Sequence, residues 1–545
     1  MHISNMFLQL TFTLFLFTSH CHAMDEPQEV RSDPQSDFQK AKKTIGTLIG
    51  LISPELSTYL NGEPEAITNN PYKNQVAYVR QTPGISDGEK ECLIARLPIV
   101  KAGLQKLLNR QLEDHQIPKI AFVMSGGGYR ALLCSLGCLL GSEKIGLLDT
   151  STYITALSGS TWAVAPWISI GLPLKTFNQY ILDCVAKAFT DVTDEEELLL
   201  FQAAIVKALY KQAKTPVDLY GALLGNRLLA ALGDKRHMTY ISEQAEKIKD
   251  GKYPYPIYTA VDGNEDIIEN PMWYEFTPHE IGACNSTTHI PTWAYGRKFK
   301  EGKSVNNAPE KSLSYQMGTY GSAFAANVKT IKEELAKVLG HEDLIESIAT
   351  SIEGERPLDF YAKVPNFTYK MNTGKPEPKE QLFVDAGLDF NNPVTPVVYP
   401  ERKADILIIC DASADRIGDE LKKTCDYMKR NNLAFPEINF DVIGKKAMHV
   451  FKDKNNPYVP TVLYFPRISD PALLQNYQHN HPQSTKYNIL QDFDLDHETN
   501  NGFAKTIHFQ YEPQDAERVI RQMEFNVRAN QEKIIKTFKW VIDNK

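Results

Sequence analysis

Residues 120–162 read IAFVMSGGGYRALLCSLGCLLGSEKIGLLDTSTYITALSGSTW, and the order of apolar runs and small-residue turns in this stretch sets the architecture. The strand-like run 120–124 meets Ser125-Gly126-Gly127-Gly128, where missing Cβ atoms let the backbone curl and present consecutive N–H groups. The apolar stretch 131–140 is of helix length, so those amides also stand at the positive end of a helix dipole, which is how a loop holds an anion. A second strand-like run, 153–157, delivers Ser158 between Leu157 and Gly159. A serine squeezed into a tight strand-to-helix turn is the mechanical principle of a nucleophile elbow, usually written G-x-S-x-G; here Ala156 and Ser160 replace both outer glycines. Nucleophile turn and anion-binding turn are thus expected on consecutive strands.

Working outward, a chain of 545 residues with 42% hydrophobic content can bury a large core. A net charge of -8 argues against nucleic-acid binding, because many phosphates would go unneutralised. An apolar run over 7–17, followed by a short polar stretch ending at Ala23, is too short to span a bilayer. It reads as a signal peptide over 1–23 and predicts a secreted, extracytoplasmic protein. Residues 24–94 form an N-terminal segment with an amphipathic helix at Phe38, Ala41, Ile45, Leu48, Ile49 and Ile52, expected to pack on its own domain. Cys134 and Cys138, four apart in an apolar helix, read as small core residues rather than metal ligands. Residues 304–312 are expected to be an exposed loop, 382–384 a strand ending at Asp385, and 405–410 a fully buried strand. Strands alternating with helical segments give a layered α/β domain.

Two motifs fail on their own terms. Gly126-x-Gly128-x-x-Ala131 matches a dinucleotide fingerprint, but the ribose-binding acid is missing where Ser158 stands. Asp492-x-Asp494-x-Asp496 begins like a calcium loop, but His497 and Phe503 occupy its glycine and glutamate positions.

SGGGYR followed by ALSGSTW resembles the paired motifs of the cytosolic group IV phospholipase A2 family and its fungal phospholipase B relatives, which are patatin-like Ser/Asp acyl hydrolases. FVDAGLDFN at 383–391 resembles that family's D-[SA]-G-L-x-F-N segment, and PYPIYTAV, MWYEFTPHEIG, MGTYGSAF and ILIICDAS extend the likeness over roughly residues 95–530, which implies a catalytic domain over 95–535. The resemblance implies a three-layer α/β/α fold with a central mixed, largely parallel sheet, and a cap or lid over 270–380. It implies hydrolysis of acyl esters of glycerophospholipids or lysophospholipids through an acyl-serine intermediate. Ser158 would be the nucleophile, Asp385 the base, Gly127 and Gly128 the oxyanion donors, and Arg130 and Arg402 the residues at the phosphate headgroup. No cofactor or metal is implied. The partners would be the lipid and, peripherally, a membrane surface, without nucleic acid. Nothing ahead of residue 95 resembles the calcium-binding domain that docks the cytosolic enzymes, so calcium-dependent translocation is not implied.

A carboxylate near pKa 4 is a poor base for a serine hydroxyl, so Asp385 acting without a histidine needs burial to raise its basicity. A conventional triad would instead recruit His449, His479, His481, His497 or His508. The alternative outside catalysis is a silent member of the same fold that binds lipid or protein through the same pocket.

Overall fold

The apolar runs assemble into a sheet of 12 strands in this computed structural model, which describes residues 70–188, 191, 193, 215–263, 270–323, 361–371 and 378–544. In chain order the strands are β1 (Arg80–Gln81), β2 (Ile120–Met124), β3 (Tyr153–Ala156), β4 (Tyr255–Asp262), β5 (Trp273–Phe276), β6 (Glu280–Ala283), β7 (Thr288–Pro291), β8 (Ala362–Pro365), β9 (Glu380–Val384), β10 (Ile406–Asp411), β11 (His449–Phe451) and β12 (Thr461–Pro466). Their spatial order is β1-β7-β6-β5-β4-β3-β2-β10-β12-β11, with β8 and β9 attached to β4 through β9. The five strands from β4 to β12 run parallel, and the remaining pairings are antiparallel. The sheet is therefore mixed and largely parallel at its centre, and helices cover it in a three-layer α/β/α arrangement. IAFVM, ILIICD and TVLYFP are buried at every position, as parallel strands covered on both faces must be.

One consequence of register positions everything that follows. β3 pairs with Tyr255–Tyr258 of β4, whereas β9, running the other way, pairs with Val261 and Asp262. β5 occupies the opposite edge of β4, so β3 and β9 share one edge and meet end to end, each by its C-terminus. Only Thr259 and Ala260 of β4 lie between their last paired residues.

A buried ion-pair cluster ties three distant segments together. Arg402 donates from Nε and Nη2 to both oxygens of Glu89 at 2.7 and 2.9 Å, in helix α1 (Asp87–Leu108). It donates from Nη1 and Nη2 to both oxygens of Glu275 in β5 at 2.6 and 2.9 Å, and from Nη1 to Pro396 O at 3.1 Å. All five guanidinium N–H groups are thereby used. Burial alone would raise the Glu275 carboxyl, but the charges and hydrogen bonds of Arg402 and His289 hold it at about 2.

Several expectations change here. β1 and α1 begin ahead of residue 95, and β5, β6 and β7 place residues 273–291 of the expected cap in the main sheet. Residues 308–311 are buried rather than exposed, because Arg297 Nε donates to Ala308 O at 3.0 Å and Gln316 Nε2 to Lys311 O at 2.9 Å. Cys134 is a buried free thiol, but Cys138 is bridged to Cys410 at the end of β10. The expected signal peptide and the expected helix at 38–52 lie outside the described residues.

Removing Arg402 leaves the buried carboxylate of Glu89 without its counter-charge and that of Glu275 with His289 alone. Arg402→Ala is expected to lower unfolding free energy by about 3–5 kcal/mol, measured by denaturant titration; a loss below about 1 kcal/mol, the range of an exposed pair, would show that the cluster does not hold these segments together.

Candidate active site

Ser158 lies two residues beyond β3, in the short turn Ser158–Ser160 that leads into helix α2 (Thr161–Ile170). Its φ of 50° falls in the left-handed region, a conformation costing a non-glycine residue on the order of 1–3 kcal/mol. The turn is held by Ser160, whose Oγ accepts Leu157 N–H at 2.9 Å and donates to Met124 O, the last residue of β2, at 2.7 Å. The serine that replaces the second outer glycine of the elbow motif is therefore its fastening. Gly159 has no room for a side chain, since a Cβ there would stand 2.0 Å from Gly128 O. That approach lays the elbow directly against the glycine bend.

The bend opens helix α3 (Gly128–Lys144), with Gly127 and Gly128 at φ 136° and 61°. Ser125 fastens it to β10: its N–H donates to Cys410 O at 3.1 Å, and its Oγ accepts Ala412 N–H at 2.6 Å. Gly126 N–H donates to Asn391 O at 3.4 Å. Gly127 and Gly128 then present their amides beside the elbow, in a first turn whose N–H groups have no partner within the helix.

Asp385 follows β9 directly and is buried. Its Oδ1 accepts Gly387 N–H at 2.8 Å, its Oδ2 accepts Ala323 N–H at 3.4 Å, and its own N–H donates to Ser322 Oγ at 3.1 Å. The Ser158 hydroxyl hydrogen-bonds to the same carboxylate. Burial pushes this carboxyl up to about 6, against the hydrogen bonds from Gly387, Ser158 and Ala323, each of which favours the anion. Desolvation thus acts in the direction that a lone carboxylate base would need. Ser322 and Ala323 come just after helix α4 (Leu313–Tyr320), and burial together with the Asp385 charge holds the phenol of nearby Tyr220 well above its ordinary pKa.

The fold thus brings together Ser158, Asp385, Gly127 and Gly128. Arg130 lies beneath the bend with no exposed surface, donating from Nε to Ala412 O at 2.7 Å, from Nη1 to Ala504 O at 2.7 Å and from Nη2 to Thr506 Oγ1 at 3.1 Å. It braces the loop rather than presenting a free fork. Arg402 is not brought to the site: all five donors are committed, and its partner Glu89 accepts the hydroxyl of Tyr153, the residue that opens β3, at 3.1 Å. An expected headgroup contact there gives way to the buried cluster. Among the described residues neither Ser158 nor Asp385 has a histidine partner; His449 is buried in β11, and His481 and His508 pair with carbonyls of Tyr477 and Phe503. Sequence alone gives Ser322, Ala323 and Asn391 no role in the site. The small residues of MGTYGSAF and the terminal Asn of FVDAGLDFN were the signals available.

The family model described as the lysophospholipase catalytic domain matches residues 120–429, more than half of the chain. Human cytosolic phospholipase A2 zeta is 26% identical over 82% of this chain and 60% of its own length. For human cytosolic phospholipase A2 epsilon the figures are 25%, 72% and 53%, so the chain spans little more than half the length of these relatives. Among solved structures, human GIVD cytosolic phospholipase A2 superposes with a TM-score of 0.73 at 22% identity, covering 86% of this chain and 68% of that one. The same protein in complex with methyl gamma-linolenyl fluorophosphonate gives a TM-score of 0.66. The expectation of secretion does not stand: the relatives are cytosolic phospholipases A2, and no comparison supports a signal peptide.

Because the folded-state pKa of Asp385 lies above its unfolded value, stability attached to its proton is complete below about pH 4 and is lost as pH rises through about 6. Asp385→Asn is expected to unfold at higher denaturant concentration than the parent at pH 8, by roughly 1–3 kcal/mol, with the advantage gone at pH 4. A variant less stable than the parent at pH 8 would contradict a desolvated anion at this position.

Proposed function

The chain belongs to the lysophospholipase catalytic-domain family, and from that premise we propose that it is a serine acyl hydrolase of glycerophospholipids and lysophospholipids. The observation that carries this reading is the hydrogen bond from the Ser158 hydroxyl to the buried carboxylate of Asp385, next to the amides of Gly127 and Gly128. Asp385 takes the hydroxyl proton as Ser158 Oγ bonds to the acyl carbonyl carbon. The carbonyl oxygen becomes an oxyanion, and the Gly127 and Gly128 N–H groups donate to it, each worth about 2.7–4 kcal/mol of barrier. When the intermediate collapses, the ester C–O bond breaks and Asp385 returns its proton to the departing glycerol oxygen. The acyl-serine remains. Asp385 then accepts a proton from water as the water oxygen attacks, and gives it back to Ser158 Oγ as the fatty acid leaves.

Arg130 is assigned to holding the bend, and the catalytic unit to the sheet with its helices, from β1 onward. An amphiphilic substrate resides in aggregates, so turnover involves peripheral contact with a lipid surface. Support for acyl transfer over silent binding comes from strain: a left-handed serine and a buried carboxylate both cost stability, and a docking pocket needs neither.

Incubation with a long-chain fluorophosphonate should label Ser158 stoichiometrically, read by peptide mass spectrometry, and Ser158→Ala should neither be labelled nor release fatty acid from lysophosphatidylcholine. An unlabelled, inert parent protein would favour the binding reading. Turnover also needs Asp385 as the anion, so kcat/KM should fall about tenfold per unit below pH 6; a profile flat down to pH 4 would remove Asp385 as the base.

A further inference from the structure

Asn391 spans the two halves of the site. Its carbonyl accepts Gly126 N–H at 3.4 Å, and its Oδ1 stands 2.6 and 2.8 Å from where Cβ atoms would be on Gly126 and Gly387. The amide side chain is wedged between the glycine bend and the turn that orients the Asp385 carboxylate. Asn391 is in turn held from behind, by Glu420 in the first turn of helix α5 (Asp419–Arg430), whose Oε2 accepts Asn391 N–H at 2.5 Å.

Glu420 is 1% exposed and stands in a cluster of charges that the reaction sequence does not use. Its Oε1 accepts Lys423 Nζ at 2.6 Å, and the same ammonium stands 3.1 Å from Asp415 Oδ2. The Asp415 carboxylate shares a hydrogen bond with Glu420. Arg467, just beyond β12, donates to Asp415 O at 2.7 Å and its charge helps keep Asp415 ionised. Arg416 and Asp419 pair at 3.5 Å on the outer surface, and Asp389 lies within the field of Lys423 and Arg430. Burial first, and then the hydrogen bond to Asp415, push the Glu420 carboxyl up to about 8, although the hydrogen bonds from Lys423 and from Asn391 N–H, and the Lys423 charge, favour its anion. At neutral pH the proton sits on Glu420 and is donated to Asp415. Once that proton leaves, two carboxylates at hydrogen-bonding distance share one ammonium.

We propose that Glu420 is a positioning residue for acyl transfer: bonded to Asp415 on one side and to Asn391 N–H on the other, it fixes Asn391 and hence the spacing between the oxyanion amides and Asp385, and loss of the proton shared with Asp415 displaces it by repulsion between the two carboxylates. This rests on the Ser158 and Asp385 reading above. A glutamine keeps a carbonyl to accept Asn391 N–H and an NH2 group to donate to Asp415, gives up the bond accepted from Lys423, and cannot ionise. An alanine removes the acceptor altogether.

The test is kcat and KM for 4-nitrophenyl butyrate between pH 5 and 10 in the full-length protein and its Glu420→Gln and Glu420→Ala variants. The parent should show an alkaline limb in kcat near pH 8, and Glu420→Gln should lose that limb while keeping the acid limb of Asp385. Glu420→Ala should lower kcat roughly ten- to hundredfold, as small misplacements of reacting groups do, with KM within about twofold. If Glu420→Ala does not fold, the Glu420→Gln profile decides alone. An alkaline limb that persists in Glu420→Gln, or a kcat for Glu420→Ala equal to that of the parent, would overturn the proposal. A Ser158→Ala variant that still turns over the ester would instead overturn the reading of the site itself.

Discussion

The structure depends on two strands sharing one edge of a third. β3 is four residues long and releases β4 at Tyr258, and β9 takes up the same edge at Val261 from the opposite direction. Chain segments more than two hundred residues apart in sequence are thereby aimed at each other, and the first residues beyond the two strands form the elbow and the Asp385 turn. A longer β3 would occupy the edge that β9 needs. A parallel β9 would present its other end. The remaining parts of the site adapt to this meeting point: Gly159 admits the bend, and Ser160, Ser125 and Asn391 fasten the elbow and the bend to neighbouring segments.

Such a site is a local loss of stability carried by the rest of the fold. A left-handed serine and a desolvated carboxylate are both unfavourable, and the surroundings over-determine them. Continuous apolar strands buried on both faces supply most of what offsets this. Charged side chains add geometric control: Arg130 reaches two segments from beneath the bend, and Arg402 locks α1 to β5. In both cases the guanidinium fork directs chain placement through several hydrogen bonds at once, which a lysine could not reproduce.

What could be read in the sequence was what local chemistry determines. Glycines that must curl, a serine confined by small neighbours and apolar runs of strand length are legible one segment at a time. Asp385 was legible through the likeness of FVDAGLDFN to a known motif, since a bare Asp-x-Gly reads equally as a turn. The role of Arg402 was not, because its partners Glu89 and Glu275 lie 313 and 127 residues away and no periodicity links them. The strands at 273–291 read as cap for a similar reason: antiparallel strands on the flank of a sheet are short and hydrogen-bond with segments whose proximity only the fold creates. An apolar amino terminus resembles a leader whether or not the protein is exported, and here the cytosolic relatives overturned that reading.

If the end-to-end meeting of β3 and β9 makes one catalytic unit, Ser158 and Asp385 act through a single proton and cannot contribute independently. The most direct measurement is a double-mutant cycle on the rate of fatty-acid release with Ser158→Ala, Asp385→Asn and the combined variant. The account predicts that the double variant is no slower than the slower single one. Losses that multiply would mean that the two side chains act separately, and would contradict it.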